Sequence, residues 1–256
     1  MEDKKTNQIL VQVVLDRSGS MQTSRAGTIS GYNEYIAGLR ADKDSDYRVT
    51  LIQFDAPVAV PELTVTYEDR ALADVPVLTE NEYQPRGNTP LYDAIGECVR
   101  RTEAKGRGVI CLIMTDGEEN ASTEFTKDSV KALIKSKEAE GWTFSFLGAN
   151  IDSYAVGGST GFRGSSISNY TVGNEVNTFR ALSNATVLRA ASYRTEGLTC
   201  SVGKDFLSAS HRAEMTGHPP IAITTTTTTT ALGGRPAAPP NFPAPPKTRA
   251  WHVSKP

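Results

Sequence analysis

Several things are missing from this 256-residue chain, and each absence removes a class of function. No apolar run approaches the roughly 20 residues that a membrane-spanning helix needs. The first eight residues, Met-Glu-Asp-Lys-Lys-Thr-Asn-Gln, lead into the first apolar stretch without a secretory apolar core. No glycine-rich phosphate loop ending in Lys-Ser/Thr is present, so intrinsic nucleotide hydrolysis has no visible machinery. Histidine is scarce: His211, His218 and His252 all fall near the C-terminal end. That leaves no imidazole earlier in the chain as the base of a Ser-His-Asp triad. Gly157-Gly158-Ser159-Thr160-Gly161 has nucleophile-elbow spacing, but it follows a short helical pattern rather than a strand.

Cysteine is scarce as well. Cys98, Cys111 and Cys200 are odd in number and give no disulfide framework, which points to a reducing, cytoplasmic setting. Charge is nearly balanced, with 27 Lys+Arg against 29 Asp+Glu and a formal net charge of −2. Neither a basic excess for nucleic acid nor an anchor for membrane follows from that.

What is present is enough apolar residue, 38%, to bury a full core in one domain. Ile9 to Leu15, Val49 to Phe54, Val109 to Met114 and Trp142 to Leu147 are mostly continuous apolar runs, the pattern of strands covered on both faces. Helical spacing separates them: Tyr32, Tyr35, Ile36 and Leu39 share one face, as do Leu91, Ile95, Cys98 and Val99, then Val130, Leu133 and Ile134. Alternating strands and helices with right-handed crossovers predict a doubly wound α/β fold with a mostly parallel sheet. Val58 to Val65 follows the second strand after a short turn and contains Pro61, so an antiparallel edge strand is expected there. Ser168 to Val172 reads as a last short strand and Asn174 to about Tyr193 as a closing helix.

The first apolar run ends in Asp16-Arg17-Ser18-Gly19-Ser20. That sequence puts one carboxylate and two hydroxyls at the carboxyl end of a strand, where open α/β sheets place their ligands. Oxygen-only ligands favour Mg²⁺, Mn²⁺ or Ca²⁺ over zinc or copper. The competing interpretation of Asp16 and Ser18 is a polar strand-to-helix turn with an N-cap. Asp42-Lys43-Asp44-Ser45-Asp46 begins like a calcium loop, but Tyr47 stands where the turn glycine belongs, so it reads as a solvated turn.

Two later segments extend the pattern: Gly87-Asn88-Thr89-Pro90, and a strand that ends in Asp116-Gly117-Glu118-Glu119-Asn120. In this order the three pieces resemble the von Willebrand factor type A domain and its metal-ion-dependent adhesion site, over roughly residues 8 to 195. The resemblance, to intracellular bacterial or phage members in particular, implies a Rossmann-like fold. It implies metal ligation by the hydroxyls of Ser18, Ser20 and Thr89, with Asp16 and Asp116 acting largely through water. It also implies a non-enzymatic, divalent-cation-dependent protein-interaction module that takes an Asp or Glu carboxylate from its partner. Such domains often work beside an ATPase or a stress-response complex. A subunit of a chelatase-like, metal-handling assembly is the alternative, and a Mg²⁺-dependent phosphohydrolase fits less well. Asp93, one helical turn after Thr89, reads either as support for the ligands or as an exposed helix carboxylate, and Glu118, Glu119 and Asn120 read as a solvated loop.

From residue 196 the composition changes: nine of the fourteen prolines lie from Pro219 onward, and Thr224 to Thr230 is an unbroken threonine run. Residues 196–256 are expected to be a Thr/Pro-rich tail without a core, following a domain of residues 1–195.

Overall fold

The computed structural model describes residues 5–58, 60–149 and 151–217. Its elements run β1 Gln8–Asp16, α1 Arg25–Ala41, β2 Asp46–Asp55, β3 Glu62–Ala71, α2 Leu91–Arg101, β4 Gly108–Thr115, α3 Lys127–Ala139, β5 Thr143–Gly148, α4 Ser153–Thr160, β6 Ile167–Asn169, α5 Glu175–Thr195 and α6 Ala209–Thr216. A 3₁₀ turn over Gly19–Ser24 leads into α1.

Six strands form one sheet in the order β3-β2-β1-β4-β5-β6. All pairs are parallel except β2 with β3. The doubly wound α/β architecture expected from the sequence is therefore the one observed. Alternate residues of β1 feed two cores, as a strand's period of two requires. Ile9, Val11, Val13 and Leu15 join α1 and α5 residues in one cluster, while Leu10 and Val14 join α2 and α3 residues in the other. The first is rich in aromatics, with the Tyr32 and Phe179 rings 6.5 Å apart and edge to face.

Three boundaries differ from expectation. β3 starts at Glu62, and Val58 stands 79% exposed in the loop before it, because the alternating pattern that pairs with β2 begins only after Pro61. The edge strand also runs on to Ala71 through register shifts around Leu51. The last strand is only Ile167–Asn169.

The largest difference lies at the C-terminal end. The packed chain does not stop at Thr195: Cys200, Phe206, Leu207 and Met215 are all buried in the α1/α5 core. α6 is fixed by a reciprocal cap in which His211 N donates to Ser208 Oγ and Ser208 N donates to His211 Nδ1. Asn174 at the start of α5 donates to the carbonyls of Glu214 and Met215. His211 therefore sits in a folded helix rather than a tail. The proline and threonine runs lie outside the described residues. No helix among the described residues is long and apolar enough to cross a membrane.

Candidate functional site

β1 and β4 are neighbours in register, with Leu15 opposite Met114, so Asp16 and Asp116 leave the sheet side by side at its carboxyl end. Asp16 is fully buried. Its Oδ1 accepts from Ser18 N at 2.6 Å and its Oδ2 from Thr115 Oγ1 at 2.5 Å. Ser18 makes no side-chain cap on the 3₁₀ turn that follows, which removes the N-cap interpretation of that hydroxyl. Instead Ser18 Oγ lies 3.1 Å from Ser20 Oγ, and Ser20 Oγ donates to Asp116 Oδ1 at 2.5 Å. Thr89 completes the group: a methyl placed on Gly117 would lie 3.0 Å from Thr89 Oγ1 and 3.6 Å from Ser20 Oγ. The structure thus brings all five sequence-identified residues to one end of the sheet. Four are buried and Ser20 faces solvent, so the cluster is open on one side.

The electrostatics are lopsided. Burial pushes the Asp16 carboxyl up to about 7 against its hydrogen bonds from Thr115 and Ser18, and the nearby Asp116 charge adds to the rise. Burial also raises Asp116, opposed by the Ser20 hydroxyl. Neither carboxylate forms an ion pair with a described Lys, Arg or His. Two carboxylates and three hydroxyls make a hard donor set that suits Mg²⁺, Mn²⁺ or Ca²⁺. Among the described residues no group of three or more His, Cys, Asp or Glu is placed to hold a metal, so any ion bound here relies on the hydroxyls as well.

Other buried carboxylates at the same end are answered by the protein, and they hold the loops in place. Asp55 is fully buried at the end of β2 and accepts from Arg17 Nε and Nη2 at 3.0 and 3.2 Å and from Arg86 Nε at 2.7 Å. Removing one member of such a buried pair typically costs about 3–5 kcal/mol, because it strands the other charge. This clamp joins the Asp16 loop to the Thr89 loop, helped by Arg86 N to Arg17 O at 2.8 Å and Gly19 N to Gly87 O at 2.9 Å. Gly87 is required there: its φ is +67°, and a Cβ would lie 2.3 Å from Ala56 O.

Asp93 is neither exposed nor bonded to the candidate ligands. It is buried in α2 and accepts three backbone N–H groups, from Thr123, Glu124 and Phe125, at 2.7–2.9 Å. Glu119 is half-buried, and Asn120, though exposed in the loop as expected, is also tied to Thr89. Asn120 Oδ1 accepts from Thr89 N at 2.8 Å while Asn120 N donates to Thr89 O at 3.1 Å. Glu119 accepts from Ala121 N, Ser122 N and Tyr92 N. Glu118 is exposed, as expected of it. Sequence reasoning missed these anchors because their partners are backbone amides, which leave no trace in residue spacing. The one available signal was the density of Asx and Glu residues directly after a strand end.

Ser159 lies inside α4 and donates to Val156 O, which is helix back-bonding and not the geometry of an elbow nucleophile.

No protein-family profile matches the sequence, and no curated protein matches it. Solved structures do match in fold. A von Willebrand factor type A protein from Catenulispora acidiphila aligns at a TM-score of 0.50 and 12% identity, over 73% of this chain and 43% of that one. Proximal thread matrix protein 1 from the mussel byssus aligns at 0.51 and 13%, over 74% and 49%. A variant of the PilB minor pilin from Streptococcus sanguinis aligns at 0.52 and 12%, over 77% and 64%. The chain spans less than half the length of the first two. At these identities the likeness is one of fold, and the fold is that of von Willebrand type A domains.

Proposed function

We propose that this domain is a divalent-cation-dependent protein-interaction module. Asp16, Ser18, Ser20, Thr89 and Asp116 hold Mg²⁺ or Mn²⁺, and the partner supplies an Asp or Glu carboxylate. The observation that carries this reading is the convergence of three hydroxyls and two carboxylates, drawn from three separate loops, with no cationic side chain among the described residues to neutralise them. Solved structures with the same fold include a protein named as a von Willebrand type A domain, which supports an interaction role.

A bound cation supplies an electrophilic position that an incoming carboxylate can complete. The chain's own residues do the rest. Ser20, the exposed member, marks the open side. Asp16 is held by Thr115 and Ser18, which leaves it little freedom to swing toward a ligand. The Arg17–Asp55–Arg86 clamp keeps the Ser18/Ser20 loop and the Thr89 loop at a fixed separation. Hydroxyl ligands neutralise a dication less than carboxylates do, so a partner carboxylate gains a strong ionic contact.

Titration calorimetry with Mg²⁺ and Mn²⁺ tests the site. Saturable binding by the wild type that is lost in Ser20→Ala and Thr89→Ala is expected, and unchanged affinity in both variants overturns the assignment. Partner capture should then fail in chelator and in Asp16→Ala protein. Capture that survives both places recognition on another surface.

A further inference from the structure

A second polar feature lies away from the adhesion-type cluster, on the α2 side of the sheet. Between the middle of β1 and β2 and the turn from α2 to β4 is a cleft of about 390 Å³, at the small end of the range for ligand sites. On its floor is Gln12, which shares a strand face with the core residues Leu10 and Val14 and is only 4% exposed. A carboxamide there is out of pattern, since the positions on either side of it along that face are apolar. Its amide makes no hydrogen bond to a described residue and opens onto the cleft. An amide that faces the cleft rather than the protein is available to whatever enters it, with two donors and an acceptor. Beside it, Thr50 is 3% exposed; its Oγ1 accepts from Asp69 N at 3.0 Å, which leaves the hydroxyl proton free to donate.

The rim carries both signs of charge, already paired. Arg107 Nη1 contacts Asp69 Oδ1 and Oδ2 at 2.9 and 3.2 Å, and Arg101 binds Glu68 through two bonds of 3.1 and 2.9 Å. A simple anion meets neutralised guanidinium groups, and a simple cation meets neutralised carboxylates. A molecule that carries both charges meets complementary partners for each: its carboxylate faces a guanidinium and its ammonium faces Glu68 or Asp69. A carboxamide on the floor suits the same molecule, because it offers one acceptor and two donors.

We propose that this cleft binds a small zwitterion of the free amino-acid class, with Gln12 as the group that recognises it. The site is separate from the Asp16 cluster, so it stands or falls independently of the metal reading.

The test is ligand-observed saturation-transfer NMR on the full chain in chelator. The probes are glycine, glutamate and arginine as zwitterions, citrate as an anion and putrescine as a cation. Saturable binding of at least one zwitterion, with citrate and putrescine weaker, is expected. Gln12→Met, close in volume, should weaken it by about tenfold, the size of one buried hydrogen bond. Arg101→Gln, on the half-exposed rim, should also weaken it, and a far-ultraviolet spectrum confirms that both variants are folded. Three results each overturn the proposal: no saturable zwitterion binding up to ~10 mM, which would mean a water-filled cleft only; equal binding of citrate or putrescine; or affinity unchanged in both variants.

Discussion

The carboxyl end of the sheet and the closure formed by residues 197–217 are both rich in buried polar groups, but they treat them in opposite ways. In the closure the chain supplies the partners itself. Ser201 Oγ donates to Gly141 O at 2.6 Å, Tyr193 OH reaches Gly141 O and Val109 O, and Arg189 donates to Asp205 O at 2.8 Å. At the sheet end, Asp16 and Asp116 have hydroxyls and one amide but no cationic side chain among the described residues. The contrast separates the two roles. Apart from Arg189 Nη1, which has no partner among the described residues, these closure groups are satisfied internally, and on the proposed reading the under-neutralised carboxylates are the ones that would take a ligand from outside.

Five perturbations test that division, from the strongest down. Truncation after Thr195 exposes the core that Phe206, Leu207 and Met215 fill. At about 1.5–3 kcal/mol per buried side chain, the loss is comparable to a typical net stability of about 5–15 kcal/mol. Thermal melting should therefore lose its cooperative transition, and a truncated protein that melts like the full chain would show the closure to be an ornament. Asp55→Ala comes next, taking from the buried Arg17 its bidentate partner, with an expected loss of about 3–5 kcal/mol in urea unfolding. Asp93→Asn weakens three amide contacts at once. About 1–3 kcal/mol and a measurable drop in divalent affinity are expected, since that loop carries the Asn120 contact to Thr89.

Asp16→Asn should do the reverse of Asp55→Ala. In chelator its stability should stay within about 1 kcal/mol of wild type, because no ion pair is broken. The rise in melting temperature on adding Mg²⁺, which corresponds to about 2.7 kcal/mol at a hundredfold excess over Kd, should disappear. A large loss of stability in chelator would move Asp16 to the scaffold side of the comparison. The smallest effect concerns His211, whose imidazole is pushed below its usual value chiefly by burial. With the folded value depressed, the unfolded chain binds the proton more readily. Stability is then full above about pH 6.5 and declines as pH falls below it. Protonation also blocks the Nδ1 acceptor of the α6 cap, so the loss should be about 1 kcal/mol or less. Urea midpoints at pH 7.5 and 5.0, compared with His211→Gln, check it.

The parallel core was legible because β1, β2, β4 and β5 are buried on both faces and read as apolar runs. β3 was placed too early since Val58 and Val60 look like strand residues, yet they stand exposed in a loop. The closure was hidden by dilution: a few buried side chains among threonines, serines and glycines do not make a periodic signal, and only long-range contact with α5 orders them. All five candidate ligands were visible as a motif in order. The Asp55 clamp and the Asp93, Glu119 and Asn120 anchors were not, because a polar side chain bound to a distant guanidinium or amide looks the same in sequence as one in water.

The strand order has a kinetic consequence. β1 is sandwiched between β2 and β4, and the candidate ligands come from residues 16 to 116, so no short fragment contains the cluster. Its oxygens meet only after two crossovers have been completed and strands about a hundred residues apart have paired, the kind of long-range closure that makes folding slow. An ion that recognises the finished cluster arrives too late to guide the chain there. On the proposed reading it would act as a latch on the native state, slowing the unfolding rate while leaving the folding rate unchanged.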